Sequence, residues 1–248
     1  MEEKEKLVGL DLDALHELVV SCGQPGYRAQ QLAEWLYKRP VGSLEEMTNL
    51  PQVFRHELGE RYEVGWREPA EVLEGGDGTR KYVFLNDDGL AYETAVIPDR
   101  ERRTLCVSSQ IGCKWGCAFC ATGKRGFAAD LDAWEMLNQY LSVPEREQIT
   151  NIVFMGMGEP LDNYEPLKKV LRVLTDDYGF GLSPTRLTVS TIGIPEALEH
   201  YVRHFRSHLA LSVHSPFPDQ RAELMPVEKV FPLERVLGSC AVIFSKRV

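Results

Sequence analysis

Thr104-Leu-Cys-Val-Ser-Ser-Gln-Ile-Gly-Cys113-Lys-Trp-Gly-Cys117-Ala-Phe-Cys120 is the stretch on which the reading of this chain turns. Its opening residues, Thr104 to Ser108, have the β-branched and apolar character of a short strand, and the residues that follow leave it as a loop rich in glycine and cysteine. Further along, the strand-like segments Ile149 to Met155, Leu187 to Ser190 and Leu209 to Val213 alternate with helical stretches. Those helices read as Asp132 to Leu141, Glu165 to Leu174, Pro195 to Tyr201 and Leu233 to Phe244. Such alternation is the pattern of βα units laid side by side in a parallel sheet, so the fold class is α/β. In sheets of this kind chemistry gathers on the loops that follow the carboxyl ends of the strands. The cysteine run and the other motifs below all fall on such loops.

Upstream the texture changes twice. Leu12, Leu15, Leu18 and Val19 recur at helical spacing after Asp11 and stop at Gly23, and Leu32, Trp35 and Leu36 mark a second helix that ends before Pro40. Ser43 with Glu46 has the pattern of a capping box, and Pro51 opens a further helix carrying Phe54 and Leu58. Residues 1–70 are therefore expected to form a small helical domain. Residues 71–98 read as a β-ribbon, with Lys81 to Leu85 and Ala91 to Ile97 joined by Asn86-Asp87-Asp88-Gly89. The remainder, 99–248, is the α/β core.

Composition sets the outer bounds. A chain of 248 residues that is 44% hydrophobic can bury one substantial core with a smaller appendage. Its longest apolar runs fall far short of a membrane span, and Met1-Glu-Glu-Lys-Glu-Lys lacks the apolar centre of a signal peptide, so a cytoplasmic location is expected. A net charge of −9 argues against a general polyanion binder. Local cations remain around the cysteines, at Arg100, Arg102, Arg103, Lys114, Lys124 and Arg125, and read either as a nucleic-acid patch or as a solvated face.

Three of the six cysteines lie within eight positions, which in a reducing compartment points to metal or redox chemistry rather than disulfides. The spacing Cys113-x-x-x-Cys117-x-x-Cys120 lets one compact turn present three thiolates to an iron–sulfur cluster. A [4Fe-4S] cluster held by three ligands keeps one iron open, and that iron can take the amino and carboxylate groups of S-adenosylmethionine (SAM). Reductive cleavage of the sulfonium then yields a 5′-deoxyadenosyl radical. A structural zinc site would need four closed ligands, and no fourth Cys or His stands at suitable spacing.

Other segments suit a SAM pocket. In Met155-Gly-Met-Gly158-Glu159-Pro160 the glycines let backbone approach a ligand, and Glu159 can meet the SAM ammonium. Ser190, Ser212 and His214 close strands where short polar groups can bond a ribose or a carboxylate, and caps or solvated strand ends are the plain alternative. Cys22 and Cys240 read as core cysteines.

Glu93-Thr94 through Pro98, Leu105 to Cys113, Met155 to Pro160, Val189-Ser190-Thr191, Ser212-Val213-His214-Ser215 and Leu224-Met225-Pro226 together resemble the RlmN-type dual-specificity adenosine C2 methyltransferases. The likeness runs from about Tyr27 to the last residue and is most specific between Glu93 and Cys120. It implies a radical SAM (β/α) barrel, partial in this chain, with a helical N-terminal RNA-binding domain and a β-ribbon linker. The implied activity is methylation of C2 of an adenosine in large-subunit ribosomal RNA and in tRNA, with a flavodoxin-type reductant and no membrane partner. Carried over residue by residue, Cys113, Cys117 and Cys120 bind the cluster, and Gly158, Glu159, Ser190, Ser212, Val213 and His214 bind SAM.

Adenine C2 is electron-poor, so polar attack on a SAM methyl group is unfavourable and a radical route is required. By the resemblance, one SAM methylates a protein cysteine and a second supplies the radical that activates that methyl for addition to C2. Glu93 matches the family's proton acceptor. Cys106 matches the thiol that attacks the methylated cysteine and releases product through a transient disulfide. By residue type alone, Glu93 reads as a solvated strand residue and Cys106 as a buried strand cysteine.

The family continues beyond the last residue of this sequence to further βα units, a loop with the methyl-carrying cysteine and an asparagine of the SAM pocket. The sequence is therefore expected to be a truncated or frameshifted product whose methylation cycle fails by itself. Two other functions stay open at this point, a radical SAM enzyme acting on a small substrate and a noncatalytic iron–sulfur RNA-binding remnant.

Overall fold

The strand-like segments of the sequence join one seven-stranded sheet, and its register decides which side chains can share a site. A computed structural model describes residues 4–238. In chain order the elements are β1 (Glu5–Lys6), α1 (Leu12–Ser21), α2 (Arg28–Ala33), α3 (Gln52–Arg61), β2 (Tyr62–Glu63), β3 (Glu71–Glu74), β4 (Arg80–Leu85), β5 (Ala91–Asp99) and β6 (Arg102–Cys106). There follow β7 (Gln110–Gly112), α4 (Ala121–Lys124), β8 (Phe127–Asp130), α5 (Ala133–Leu141), β9 (Asn151–Phe154), α6 (Tyr164–Thr175), β10 (Leu187–Thr191), α7 (Pro195–His204), β11 (His208–Leu211) and α8 (Pro218–Leu224).

Two compact units are present. The first runs to Glu68 and includes Asp132–Arg146 and Lys168–Ser183; the second holds Pro69–Leu131, Glu147–Leu167 and the chain from Pro184 onward.

The first unit is helical, and its helices begin and end where local chemistry directs. Asp11 caps α1 by accepting from the Ala14 amide at 3.0 Å, and Gly23 takes the left-handed φ of 68° just beyond its end. The second helix does not stay α-helical: after Ala33 it widens into a π turn over Glu34–Lys38, in which the Arg39 amide bonds the Glu34 carbonyl at 2.9 Å. Ser43 and Glu46 form the expected capping box, on a single 3-10 turn. Leu15, Leu18, Val19, Leu32, Leu36, Phe54 and Leu58 are buried, whereas Trp35 is half-buried and donates its indole N–H to Asn49. Asn138 of α5 clamps the backbone of Arg67, accepting from its amide at 2.9 Å and donating to its carbonyl at 3.0 Å. Cys22 is half-buried, not in the core, because it caps the end of α1. Cys240 lies outside the described residues, as does the end of the helix read as Leu233 to Phe244, of which 233–238 are helical.

The second unit carries the sheet, in the order β11-β10-β9-β6-β5-β4-β3. From β6 to β11 neighbours run parallel, as alternation with helices requires, and β3 to β6 run antiparallel. The expected β-ribbon extends the same sheet without a break. Its turn follows the sequence: Asn86 accepts from the Leu90 amide at 2.7 Å and Gly89 has φ 76°. Strand β3 was not legible, because all four of its residues are exposed and Glu-Val-Leu-Glu carries no burial pattern. Strand β6 sits two residues earlier than expected. It pairs with β5 as far back as Asp99 opposite Arg102, across a turn in which Arg100 adopts φ 53°. The last strand ends at Leu211 instead of Val213, which frees Ser212 and Val213 for the loop. Among the described residues no helix is long and apolar enough to cross a membrane.

Helix α5 starts from a full capping box, Asp132 with Glu135, and every residue of α5 is buried. Asp132→Ala removes the cap and is expected to lower stability by about 1 kcal/mol. In urea unfolding this appears as a lower midpoint at unchanged slope; an unchanged midpoint would mean that the cap contributes nothing.

Candidate active site

Successive residues on a strand face opposite sides of a sheet, and residues in register on neighbouring strands share a side. On one face lie the buried Thr94, Leu105, Ile152, Phe154, Val189 and Thr191. On the other, half-buried face, Ala95 stands opposite Cys106, Cys106 opposite Val153, and Val153 opposite Thr188. Glu93 is two residues before Ala95 and Ser190 two after Thr188, so Glu93, Cys106 and Ser190 all belong to that face. The Glu93 carboxylate meets Lys81 Nζ at 3.3 Å, and its backbone carbonyl accepts from the Ser108 hydroxyl. The Cys106 thiol has its pKa raised by burial, with a hydrogen bond to the backbone of Met155 opposing.

The three clustered cysteines lie between β7 and β8, on a hairpin that the sequence reading missed. Gly112 has φ 81°, and a Cβ there would fall 1.9 Å from the Gly126 carbonyl oxygen, so only glycine lets the two strands meet. The Cys113 amide donates to that same carbonyl at 2.9 Å. Cys117 is buried against Ile192, Met225 and Val227, with Trp115 and Phe231 packed alongside, and the Ala118 amide bonds the Leu224 carbonyl at 2.9 Å. Burial first, and then the neighbouring Glu159, Cys117 and Cys120, push the Cys113 thiol up to about 11. Burial and Cys120 raise Cys117 as well.

The thiols of Cys113 and Cys117 therefore resist ionising unless a cation takes their charge, which is the usual state of metal-binding cysteines before loading. The buried Trp115 indole N–H has no hydrogen-bond partner among the described residues and is a donor available to an acceptor such as cluster sulfide. Among the described residues no three His, Cys, Asp or Glu side chains are drawn together to hold a metal ion as they stand. The donor chemistry of the loop, three soft thiols and one orphan N–H, fits an iron–sulfur cluster.

A layer of buried polar side chains joins this loop to the glycine-rich one. Ser108 is fully buried and accepts from the Met157 amide at 2.8 Å; a Cβ on Gly156 would lie 2.6 Å from its oxygen. Gln110, 1% exposed, accepts from the Glu159 amide at 2.8 Å and donates to Asp130 at 2.7 Å. Asn163 donates to the Ser109 and Leu131 carbonyls at 2.8 and 2.7 Å.

Glu159, expected to face a ligand ammonium, has its carboxylate committed to the protein. It accepts from the Thr191 hydroxyl at 2.6 Å, the Ile192 amide at 3.0 Å and the Leu161 amide at 3.1 Å. Burial nevertheless dominates and lifts its pKa to about 7. Lys114, one of the cations noted in the sequence, pairs with Asp162 at 2.7 Å, while Lys124 and Arg125 are exposed.

Ser212 and Val213 are half-buried, and His214 is exposed with φ 56°, its ring 4.3 Å from that of Phe119 in the cysteine loop. The loop they form is held from beneath by Arg221, which is fully buried and pairs with Glu228. Nothing in the sequence pattern marks Arg221, since an arginine in a short polar helix reads as solvated. A cavity of about 180 Å³ lies in the first unit, lined by Leu36, Trp66, Leu141 and Arg146 among others, and none of the candidate residues lines it.

Comparison with known proteins gives a consistent picture. Residues 5–64 match the ribosomal RNA large subunit methyltransferase N-terminal domain, and residues 107–240 match the radical SAM superfamily. A protein of Phocaeicola vulgatus named probable dual-specificity RNA methyltransferase RlmN is 48% identical over 234 residues, covering 94% of this chain and 67% of that protein. The dual-specificity RNA methyltransferase RlmN of Halorhodospira halophila is 43% identical over 246 residues, or 98% of this chain and 68% of its own length. The crystal structure of a radical SAM methyltransferase from Sphaerobacter thermophilus superposes with a TM-score of 0.88 at 35% identity, covering 97% of this chain and 72% of the other.

Gly158 has φ 98°, and an added Cβ would lie 2.5 Å from that of Gln110. Gly158→Ala is expected to cost on the order of 2 kcal/mol or more in urea unfolding, from backbone strain and overpacking together. Glu159 keeps its proton in the folded chain up to about pH 7, whereas the unfolded carboxyl loses it near 4.5, so its contribution to stability falls as pH rises through that window. Glu159→Gln cannot ionise. Its stability deficit relative to the parent, measured on cluster-free protein, should therefore narrow between those two pH values; a constant deficit contradicts the assignment.

Proposed function

The chain belongs to the RlmN family of radical SAM RNA methyltransferases, and we propose that, with the family's methyl-carrying cysteine supplied, it methylates C2 of adenosine in large-subunit ribosomal RNA and tRNA. The observation that carries this reading is the shared half-buried sheet face: Glu93, Cys106 and Ser190 come from three different strands and face the same way. A radical SAM enzyme acting on a small substrate would require neither Glu93 nor Cys106, and that alternative is not favoured.

Radical SAM chemistry calls for a [4Fe-4S] cluster and SAM, which together supply one-electron cleavage and the radical that activates a methyl group. Cys113, Cys117 and Cys120 would hold the cluster. Gly158, Glu159, Ser190 and the Ser212-Val213-His214 loop would receive SAM, with Glu159 bracing the pocket from inside. Glu93 takes the proton from the RNA adduct, with the Lys81 ammonium 3.3 Å from its carboxylate. Cys106 attacks the sulfur of the methyl-carrying cysteine as thiolate, forming a disulfide while the sulfur–carbon bond to the RNA adduct breaks and the released carbon takes a proton to become the methyl group. The raised pKa of Cys106 makes that release faster at alkaline pH.

Residues 1–70 are assigned as the RNA-binding accessory domain, 71–98 as the extension and 99–248 as the radical SAM core. Lys124 and Arg125, exposed on the cysteine loop of an otherwise acidic chain, are placed to meet RNA phosphates. The site of action is the cytoplasm, with a flavodoxin-type protein as electron donor.

Anaerobic reconstitution with iron and sulfide, followed by assays for SAM cleavage and for 2-methyladenosine, tests this reading. Methylated adenosine supports it. Protein that holds no iron and sulfide, or a single zinc ion, refutes it. Each of Cys113→Ala, Cys117→Ala and Cys120→Ala is expected to lose the brown absorbance and SAM cleavage together. Cys106→Ala should retain both and, with the methyl-carrying cysteine supplied, accumulate a protein–RNA adduct.

A further inference from the structure

Beyond the last parallel strands, three backbone carbonyls, those of Ile192, Ser212 and Val213, converge on a single side chain. Arg221 Nε donates to the Val213 carbonyl at 3.1 Å. Its Nη2 donates to the Ile192 and Ser212 carbonyls, both at 3.3 Å. Nη1 pairs with Glu228, whose carboxylate also accepts from the Leu233 amide at 3.0 Å. The guanidinium is fully buried and Glu228 is 7% exposed. A guanidinium spreads five N–H donors over a rigid planar fork, whereas an ammonium offers three from a single point.

The same short helix reaches the cysteine loop on its other side. Arg221 sits in α8, and one helical turn further on Leu224 and Met225 support that loop through the Leu224 carbonyl and the packing of Met225 on Cys117. The Met225 amide bonds the Arg221 carbonyl at 2.6 Å, so the backbone that carries the guanidinium is tied to that platform. One side chain thus fixes the height of the Ser212-Val213-His214 loop relative to the three cysteines.

We propose that Arg221, oriented by Glu228, is a positioning residue for SAM: it holds the Ser212–His214 loop in the geometry that accepts the nucleoside while the cysteine loop holds the cluster. The inference rests on the SAM-binding role assigned above and adds a residue that touches neither group. A loop released from its three carbonyl bonds samples other conformations, and apparent affinity falls with the fraction that stays competent.

The test uses anaerobically reconstituted protein, with SAM titrated against the electron paramagnetic resonance spectrum of the reduced cluster. Arg221→Lys keeps the charge opposite Glu228 but loses the fork. Its iron and sulfide content and its spectrum without SAM should match the parent, while the SAM dissociation constant rises roughly tenfold or more, as when about one loop in ten remains competent. Glu228→Gln leaves Arg221 in place with a weaker anchor and serves if the lysine variant does not fold; its dissociation constant should rise roughly threefold or more. SAM affinity within twofold of the parent in a folded, cluster-loaded variant overturns the proposal. A parent protein whose cluster spectrum does not respond to SAM overturns the functional reading itself, and this inference with it.

Discussion

Parallel strands end with backbone groups that no neighbouring strand can satisfy, and in this chain buried side chains meet that constraint. Ser108, Gln110, Asn163, Thr191 and Glu159 are each 5% exposed or less, and each bonds a backbone group on one of the loops beyond the sheet. An unpaired buried polar group costs on the order of 1–3 kcal/mol, so the loops have few other arrangements open to them. Fixed loops are what a site assembled from several strands requires.

That layer also explains why glycine stands at Gly112, Gly156 and Gly158. In all three places a Cβ would intrude within 2.6 Å of a facing atom, so the close approach of the loops to one another precedes any question of ligand. The two roles are compatible, since a loop packed tightly underneath presents bare backbone above. Glu159 shows the cost. Three hydrogen bonds do not fully offset the loss of water, and its carboxyl stays protonated to about pH 7.

Charge is distributed with similar economy. The chain is acidic overall at −9, yet the cysteine loop carries Lys114, Lys124 and Arg125. Lys114 is bound to Asp162 and serves the fold, whereas Lys124 and Arg125 are exposed. Long-range attraction of a polyanion to an acidic protein is weak, so any such recognition depends on local contacts.

The features that rest on residue identity and spacing were legible in the chain: the clustering of three cysteines, the glycine-rich turn, the capping boxes, and the alternation of strand and helix that makes the sheet parallel. These are local properties, encoded within one or two turns of backbone. What the sequence could not disclose depends on distant segments meeting. That Glu93, Cys106 and Ser190 share a face follows from strand register. That Glu159 turns inward follows from the position of β10, and that Arg221 is buried follows from three carbonyls arriving from two separate strand ends. A solvated and a buried arginine look the same in sequence, because the difference lies in desolvation and partner geometry, which only the folded chain supplies.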